Sequence, residues 1–235
     1  MVGAPVKLIL LTSILLASSA FAAQAADMIM PVEDAPTSAS VAFYLFGAGG
    51  GVLPNDIDAT QADVDPQEEN AIFGLNPGYT VSGGLGVDLG NGLRIEGELG
   101  YLNVGTADLT LPDFQPDPIS DDAPGSVTGY YAMANVWMSL PTGTIRPFVG
   151  GGLGLASLSV DAGPYFGGKS IDDSATAMAW QVGAGVEADI ATNMELFARY
   201  RYLGVQDFTM TDSDSTDITA DFNANILDVG LRVAF

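Results

Sequence analysis

The sequence predicts an all-β fold, an eight-stranded antiparallel up-and-down β-barrel, and three observations carry that prediction. Past Ser38 the chain runs as segments of about ten residues in which apolar and polar side chains alternate with a period of two. Tight and long connections alternate between those segments without exception. The 235 residues include 29 glycines and no cysteine, so no disulfide can staple the fold and it must hold by other means.

The elements follow in chain order. Lys7, an apolar run from Leu8 to about Ala22, and the small-residue pattern Ala23-Gln24-Ala25 have the order of a secretory leader. The run is shorter than the ~20 residues a membrane-spanning helix needs. Cleavage is expected near Ala26, with cleavage after Ala22 as the alternative. Residues 1–25 are therefore read as a cleaved signal peptide, 26–38 as a leader segment and 39–235 as the barrel. Its strands fall near 39–52, 79–89, 93–102, 127–139, 145–159, 175–189, 194–205 and 223–235. After the second, fourth and sixth come Gly90-Asn91-Gly92, Pro141-Thr142-Gly143-Thr144 and Ala191-Thr192-Asn193. These supply Gly and Asn for positive φ and Pro for a preset φ, as hairpin turns require. The connections 53–78, 103–126, 160–174 and 206–222 are read as long polar loops, all at the opposite end.

Four strands show their faces clearly. Leu93, Ile95, Leu99 and Tyr101 oppose Arg94, Glu96 and Glu98, and Leu196, Ala198, Tyr200 and Tyr202 oppose Glu195, Arg199 and Arg201. Trp180, Val182, Ala184 and Val186 oppose Gln181, Gly183, Gly185 and Glu187. In the last strand Leu227, Val229, Leu231, Val233 and Phe235 oppose a face carrying Asp228 and Arg232. Two barrels produce such a pattern. In a soluble one the apolar face is the lining; in a membrane one the apolar face meets lipid and the charges are enclosed.

Arginine placement favours the second. Of the six basic residues after the leader, Arg94, Arg146, Arg199, Arg201 and Arg232 lie on strands, and only Lys169 falls in a predicted loop. They sit among Asp88, Glu96, Glu98, Glu187, Glu195 and Asp228, which suggests an interior ion-pair lattice. Arg suits it, because its planar fork bonds carboxylates bidentately and stays charged when desolvated. A lipid-facing Arg at the midplane would instead cost ~2–4 kcal/mol. Inward Gly150, Gly152, Gly183 and Gly185 would make room for bulky neighbours. Tyr101, Tyr131, Trp137, Tyr200, Tyr202 and Phe235 fall near strand ends; some are read as interface girdles, the alternative being plain packing.

"RPFVGGGLGLA", "AWQVGAGVEADI" and the terminal "NILDVGLRVAF" resemble the small outer-membrane β-barrel family, which includes OmpA-type transmembrane domains, OmpX and alphaproteobacterial surface antigens. The resemblance covers about 39–235. It implies a cell outer membrane location with lipids and lipopolysaccharide as surroundings, a periplasmic leader at 26–38, and Phe235 as the signal that the barrel-insertion machinery reads. The chain ends with this strand, so a cell-wall-binding domain is not among the expectations.

Composition excludes several chemistries. With no histidine and no cysteine, there can be no Ser-His-Asp or Cys-His site, no His-ligated zinc and no thiolate centre. No catalytic residue and no cofactor is expected, and paired carboxylates such as Glu96 and Glu98 are read as ion-pair partners. A formal charge of −22 argues against nucleic acid as a partner. Asp212, Asp214 and Asp217 in "DSDSTD" are weak candidates for Ca²⁺ or Mg²⁺, lacking the Gly and Glu of an EF-hand loop. Such ions could bridge the loops to lipopolysaccharide.

The functional expectation is a structural, surface-display barrel whose interior is largely filled by ion pairs and whose four acidic loops face outward. The alternatives are a narrow cation-preferring porin for small solutes and a soluble carrier with an apolar lumen.

Overall fold

The computed structural model describes residues 41–61, 70–113, 119–140, 143–165, 169–211 and 217–235. Nine strands form: β1 (Ala42–Pro54), β2 (Ile57–Gln61), β3 (Asn70–Asp88), β4 (Leu93–Leu111), β5 (Ile119–Ser139), β6 (Ile145–Tyr165), β7 (Lys169–Ala191), β8 (Met194–Thr211) and β9 (Asp217–Ala234). All pairings are antiparallel, β3 to β9 pair in sequence order, and β9 closes on β1, from Tyr44↔Ala234 to Pro54↔Ala224. Both β1 and β2 pair with β3 and β9, so they are two halves of one wall strand interrupted at Asn55 and Asp56. The wall therefore has eight strand positions and no open edge.

The tight connections lie at one end, called here the turn end. Gly90, Gly92 and Gly143 take positive φ of 75°, 82° and 106°, as hairpin turns demand. The first turn is tied by its own side chains: Asp88 Oδ1 accepts from the Gly90 N–H at 2.7 Å and Asn91 Oδ1 from that of Leu93 at 3.1 Å.

The strands run well past their expected limits. β5 and β6 have 21 residues and β7 has 23, where ~9–11 tilted residues cross a membrane. Much of what composition marks as loop in 53–78, 103–126, 160–174 and 206–222 is strand, and Lys169 begins β7 rather than lying in a connection. The reason is that alternation persists through these acidic stretches with the polarity of the two faces exchanged.

On β9, inward Asp228, Gly230 and Arg232 oppose outward Leu227, Val229 and Leu231 near the turn end; farther on, inward Ala220, Phe222 and Ala224 oppose outward Thr219, Asp221 and Asn223. On β6, outward Val149, Leu153 and Leu155 give way to Ser157, Ser159 and Asp161, while buried Ala156, Leu158 and Val160 point inward. The barrel thus stacks a segment with apolar exterior and charged interior beneath one with polar exterior and apolar core. The soluble and membrane arrangements that the sequence posed as alternatives occupy successive heights of one wall. An interior filled by ion pairs is corrected accordingly: it holds in the turn-end half alone.

Glycine serves the inner face by close approach. A Cβ on inward Gly185 would lie 2.5 Å from Phe148 Cζ, and that ring fills the lumen; a Cβ on outward Gly97 would meet nothing. Gly185→Val is expected to destabilise the barrel by ~1–3 kcal/mol through overpacking, whereas Gly97→Val should be neutral or stabilising by up to ~1 kcal/mol. Urea unfolding of the two variants checks this, and equal losses would refute the packing role.

Candidate functional site: the interior ion-pair lattice

Strand register supplies the first contacts. Arg199 is the β-partner of Asp228, Glu195 of Arg232 and Arg146 of Glu187, so opposite charges project inward side by side from adjacent strands. Long arginines then reach across the lumen to carboxylates of strands that do not pair with their own.

Two tiers result. In the deeper one, Arg199 donates to Asp228 through Nε and Nη2 at 3.1 Å each, and Arg201 Nε lies 3.0 Å from the same carboxylate. Arg201 Nη1 also donates to Glu98 at 2.8 Å and to Gln181 Oε1 at 2.9 Å, and its Nη2 to the Tyr131 hydroxyl at 2.8 Å. Asn135 Nδ2 also donates to Glu98, at 2.8 Å. All of these groups are buried.

In the tier nearer the turn end, Glu187 is the hub. Arg94 grips it bidentately at 2.9 and 2.7 Å, Arg232 Nη1 donates at 2.9 Å and Ser139 Oγ at 2.8 Å. Glu195 joins Arg146, 2.6 Å away, to Arg232. Glu96 accepts from the Tyr44 hydroxyl and the Trp137 indole, each at 2.8 Å. Aromatic rings separate the layers: Arg232 lies 4.2 Å from the Phe197 centroid and Arg199 5.2 Å from that of Trp137. At the rim Arg146 also holds the exposed Asp189 bidentately at 2.7 and 2.9 Å.

The chemistry of this arrangement is charge compensation. Five guanidiniums (Arg94, Arg146, Arg199, Arg201, Arg232) meet five enclosed carboxylates (Glu96, Glu98, Glu187, Glu195, Asp228). A polar cavity of about 130 Å³ opens at the turn end between Asp88, Arg94, Asp189 and Arg232, and the lattice is its inner wall. Buried Arg94 Nε and Arg232 Nε lack a hydrogen-bond partner in the protein, and several waters fit the cavity beside them.

The structure brings together Arg94, Glu96, Glu98, Arg146, Glu187, Glu195, Arg199, Arg201, Asp228 and Arg232, whereas Asp88, grouped with them in the sequence, ties the first turn instead. Tyr44, Asn135, Ser139 and Gln181 complete the lattice; their signal was parity, since each shares the inward face of its strand. Tyr131 and Trp137 are corrected as girdle candidates, being 3% and 0% exposed and inward. Tyr101 does stand on the outer face, its ring tilted against those of Tyr130 at 5.2 Å and Tyr79 at 6.0 Å, and Tyr202 stands there at 5.5 Å from Trp180. Phe235 is 77% exposed on that face, its N–H donating to Phe43 O at 2.9 Å. Asp212 and Asp214 lie outside the described residues, as does the Asp217 side chain. Among the described residues, no acidic group has the make-up to hold a metal ion.

The family model for an outer membrane protein beta-barrel domain matches residues 13–235. Two solved structures are similar in fold. Neisserial surface protein A is 20% identical, over 83% of this chain and 99% of that one, with a TM-score of 0.50. The outer membrane protein OprG from Pseudomonas aeruginosa is 10% identical, over 83% and 96%, with a TM-score of 0.60. No curated protein matches the chain.

Proposed function

The chain belongs to the outer membrane protein beta-barrel domain family and is an outer-membrane protein, and from that premise we propose that it is a sealed structural and surface-display barrel. The observation that carries this reading is the balanced lattice. Each arginine is held by carboxylates across or beside it, so the lumen offers a passing ion no uncompensated charge at that height. The tight turns would face the periplasm and the long strand extension the exterior. There the described outward side chains include Asp58, Asp122, Asp161 and Asp221. Such a surface would meet lipopolysaccharide phosphates through bridging divalent cations, while Phe235, at the end of the closing strand, would serve the insertion machinery. No catalytic role is proposed, since the lattice carboxylates are saturated by donors.

Purified, folded protein in a planar bilayer is expected to give no discrete conductance steps, with heat-modifiable gel migration showing that the barrel is intact. Discrete cation-selective steps would instead establish the narrow porin. The leader order at Lys7–Ala25 supports export with cleavage before Ala26, and the intact mass of the same preparation checks it.

A further inference from the structure

We propose that one side of the lipid-facing wall carries a groove that seats a single phospholipid acyl chain. Over much of the apolar band the outward side chains are large and exposed, as with Val149 on β6, Val182 and Val186 on β7, and Leu227, Val229 and Leu231 on β9. Gly97 on β4 and Ala132 and Ala134 on β5 interrupt that cover. They adjoin, since Gly97 pairs with Ala134 and its outward neighbour Leu99 with Ala132.

Two open depressions meet over Gly97. One, of about 380 Å³, lies among Phe43, Leu85, Val87, Ile95 and Phe235. The other, of about 420 Å³, lies between Leu99 and the pair Leu153 and Leu155, over Ala132 and Ala134. The fold does not require glycine where they meet. A Cβ on Gly97 would find nothing within 4 Å, and a glycine inside a strand weakens it. The absent side chain leaves room that the chain's own packing does not use.

Location and lining set the occupant. The groove opens in the apolar band of an outer-membrane barrel, so hydrocarbon covers it. Its outward side chains are all apolar, and Glu98, on the opposite face of β4, has a side chain that is 0% exposed. A head group finds no partner there, so the groove recognises the chain. Leu99 on β4 and Leu153 on β6 stand two strand spacings apart, about 10 Å, with only alanine methyls between. That gap admits one extended hydrocarbon chain, whereas the convex wall of a second barrel would touch only its rim. Phe43 and Phe235 lie at the turn end, which faces the periplasm in the orientation proposed above, so the chain belongs to a phospholipid of that leaflet.

Native mass spectrometry of the full protein, folded in detergent with phosphatidylethanolamine or phosphatidylglycerol, tests this. The unaltered barrel is expected to keep one lipid, with either head group, at a collision energy that strips all others. Gly97→Leu, which fills the groove, is expected to lose it. Ala184→Leu, outward on β7 three strand positions from β4, is expected to keep it. Ala134→Leu replaces the filling variant if Gly97→Leu does not show heat-modifiable migration. Absence of a retained lipid, retention that depends on the head group, or equal retention in the filling variant and Ala184→Leu would overturn the proposal. The conductance that tests the sealed lumen does not involve this groove, so either reading can fail alone.

Discussion

Glu98→Leu is expected to lower the unfolding free energy of the barrel by about 3–5 kcal/mol, the range for removing one partner of a buried ion pair. Glu98 is 1% exposed and compensates Arg201 at 2.8 Å and Arg199 at 3.5 Å. Without it the deeper tier holds two guanidiniums and one carboxylate, Asp228, in a space lined by Trp137, Phe197 and Tyr131. Leucine also leaves Asn135 Nδ2 without its acceptor, which adds a desolvation cost. Urea unfolding in lipid vesicles measures the loss. The double variant Glu98→Leu, Arg201→Met restores equal charge in the tier and is expected to recover a large part of it. At the rim, Asp189→Asn removes an exposed partner of Arg146 and should cost at most ~1 kcal/mol. A Glu98 variant no worse than the Asp189 variant would show that the lattice is solvated, and with it the reading of a sealed lumen would fall.

Membership of the lattice was legible because parity on a strand is local: Arg94, Glu96 and Glu98 share a face whatever the rest of the chain does. The pairings were not. Arg94 and Glu187 are 93 residues apart on β4 and β7, which do not pair with each other, so only the curvature of the closed wall brings them together. Tyr131 and Trp137 were misplaced for a related reason, since proximity to a strand end says nothing of which face a ring occupies. Alternation in "TADFNANI" was open to view on β9, yet the Asp, Ser and Pro content of 103–126 and 206–222 drew attention to composition instead. Those residues mark an exterior in water rather than a chain without pairing. A polar outer face and an apolar inner one is the ordinary state of a strand above the membrane, and the same wall simply changes solvent.

That change of solvent has a height, and arginine can locate it. On β6 the outward side chains are apolar from Ile145 to Leu155 and polar from Ser157 onward. Ten steps at ~3.3 Å give about 33 Å along the strand, and a tilt near 40° reduces this to about 25 Å, the height of a barrel's apolar band. On β5 and the residue that follows it, the outward run from Tyr130 to Leu140 has the same length. Val149→Arg, near the middle of the band, is therefore expected to cost ~2–4 kcal/mol, and Ser159→Arg, on the same strand and face but above the switch, ~0–1 kcal/mol. Both side chains point away from the lattice, both gain the same charge, and neither has an inward packing role, so depth in the bilayer is the variable that separates them. Unfolding in vesicles of defined lipid measures the difference. Equal, small effects would mean that the apolar face is not in hydrocarbon, whereas equal, large effects would mean that the band reaches past Ser157 and that the apolar half of the interior lies inside the membrane rather than above it.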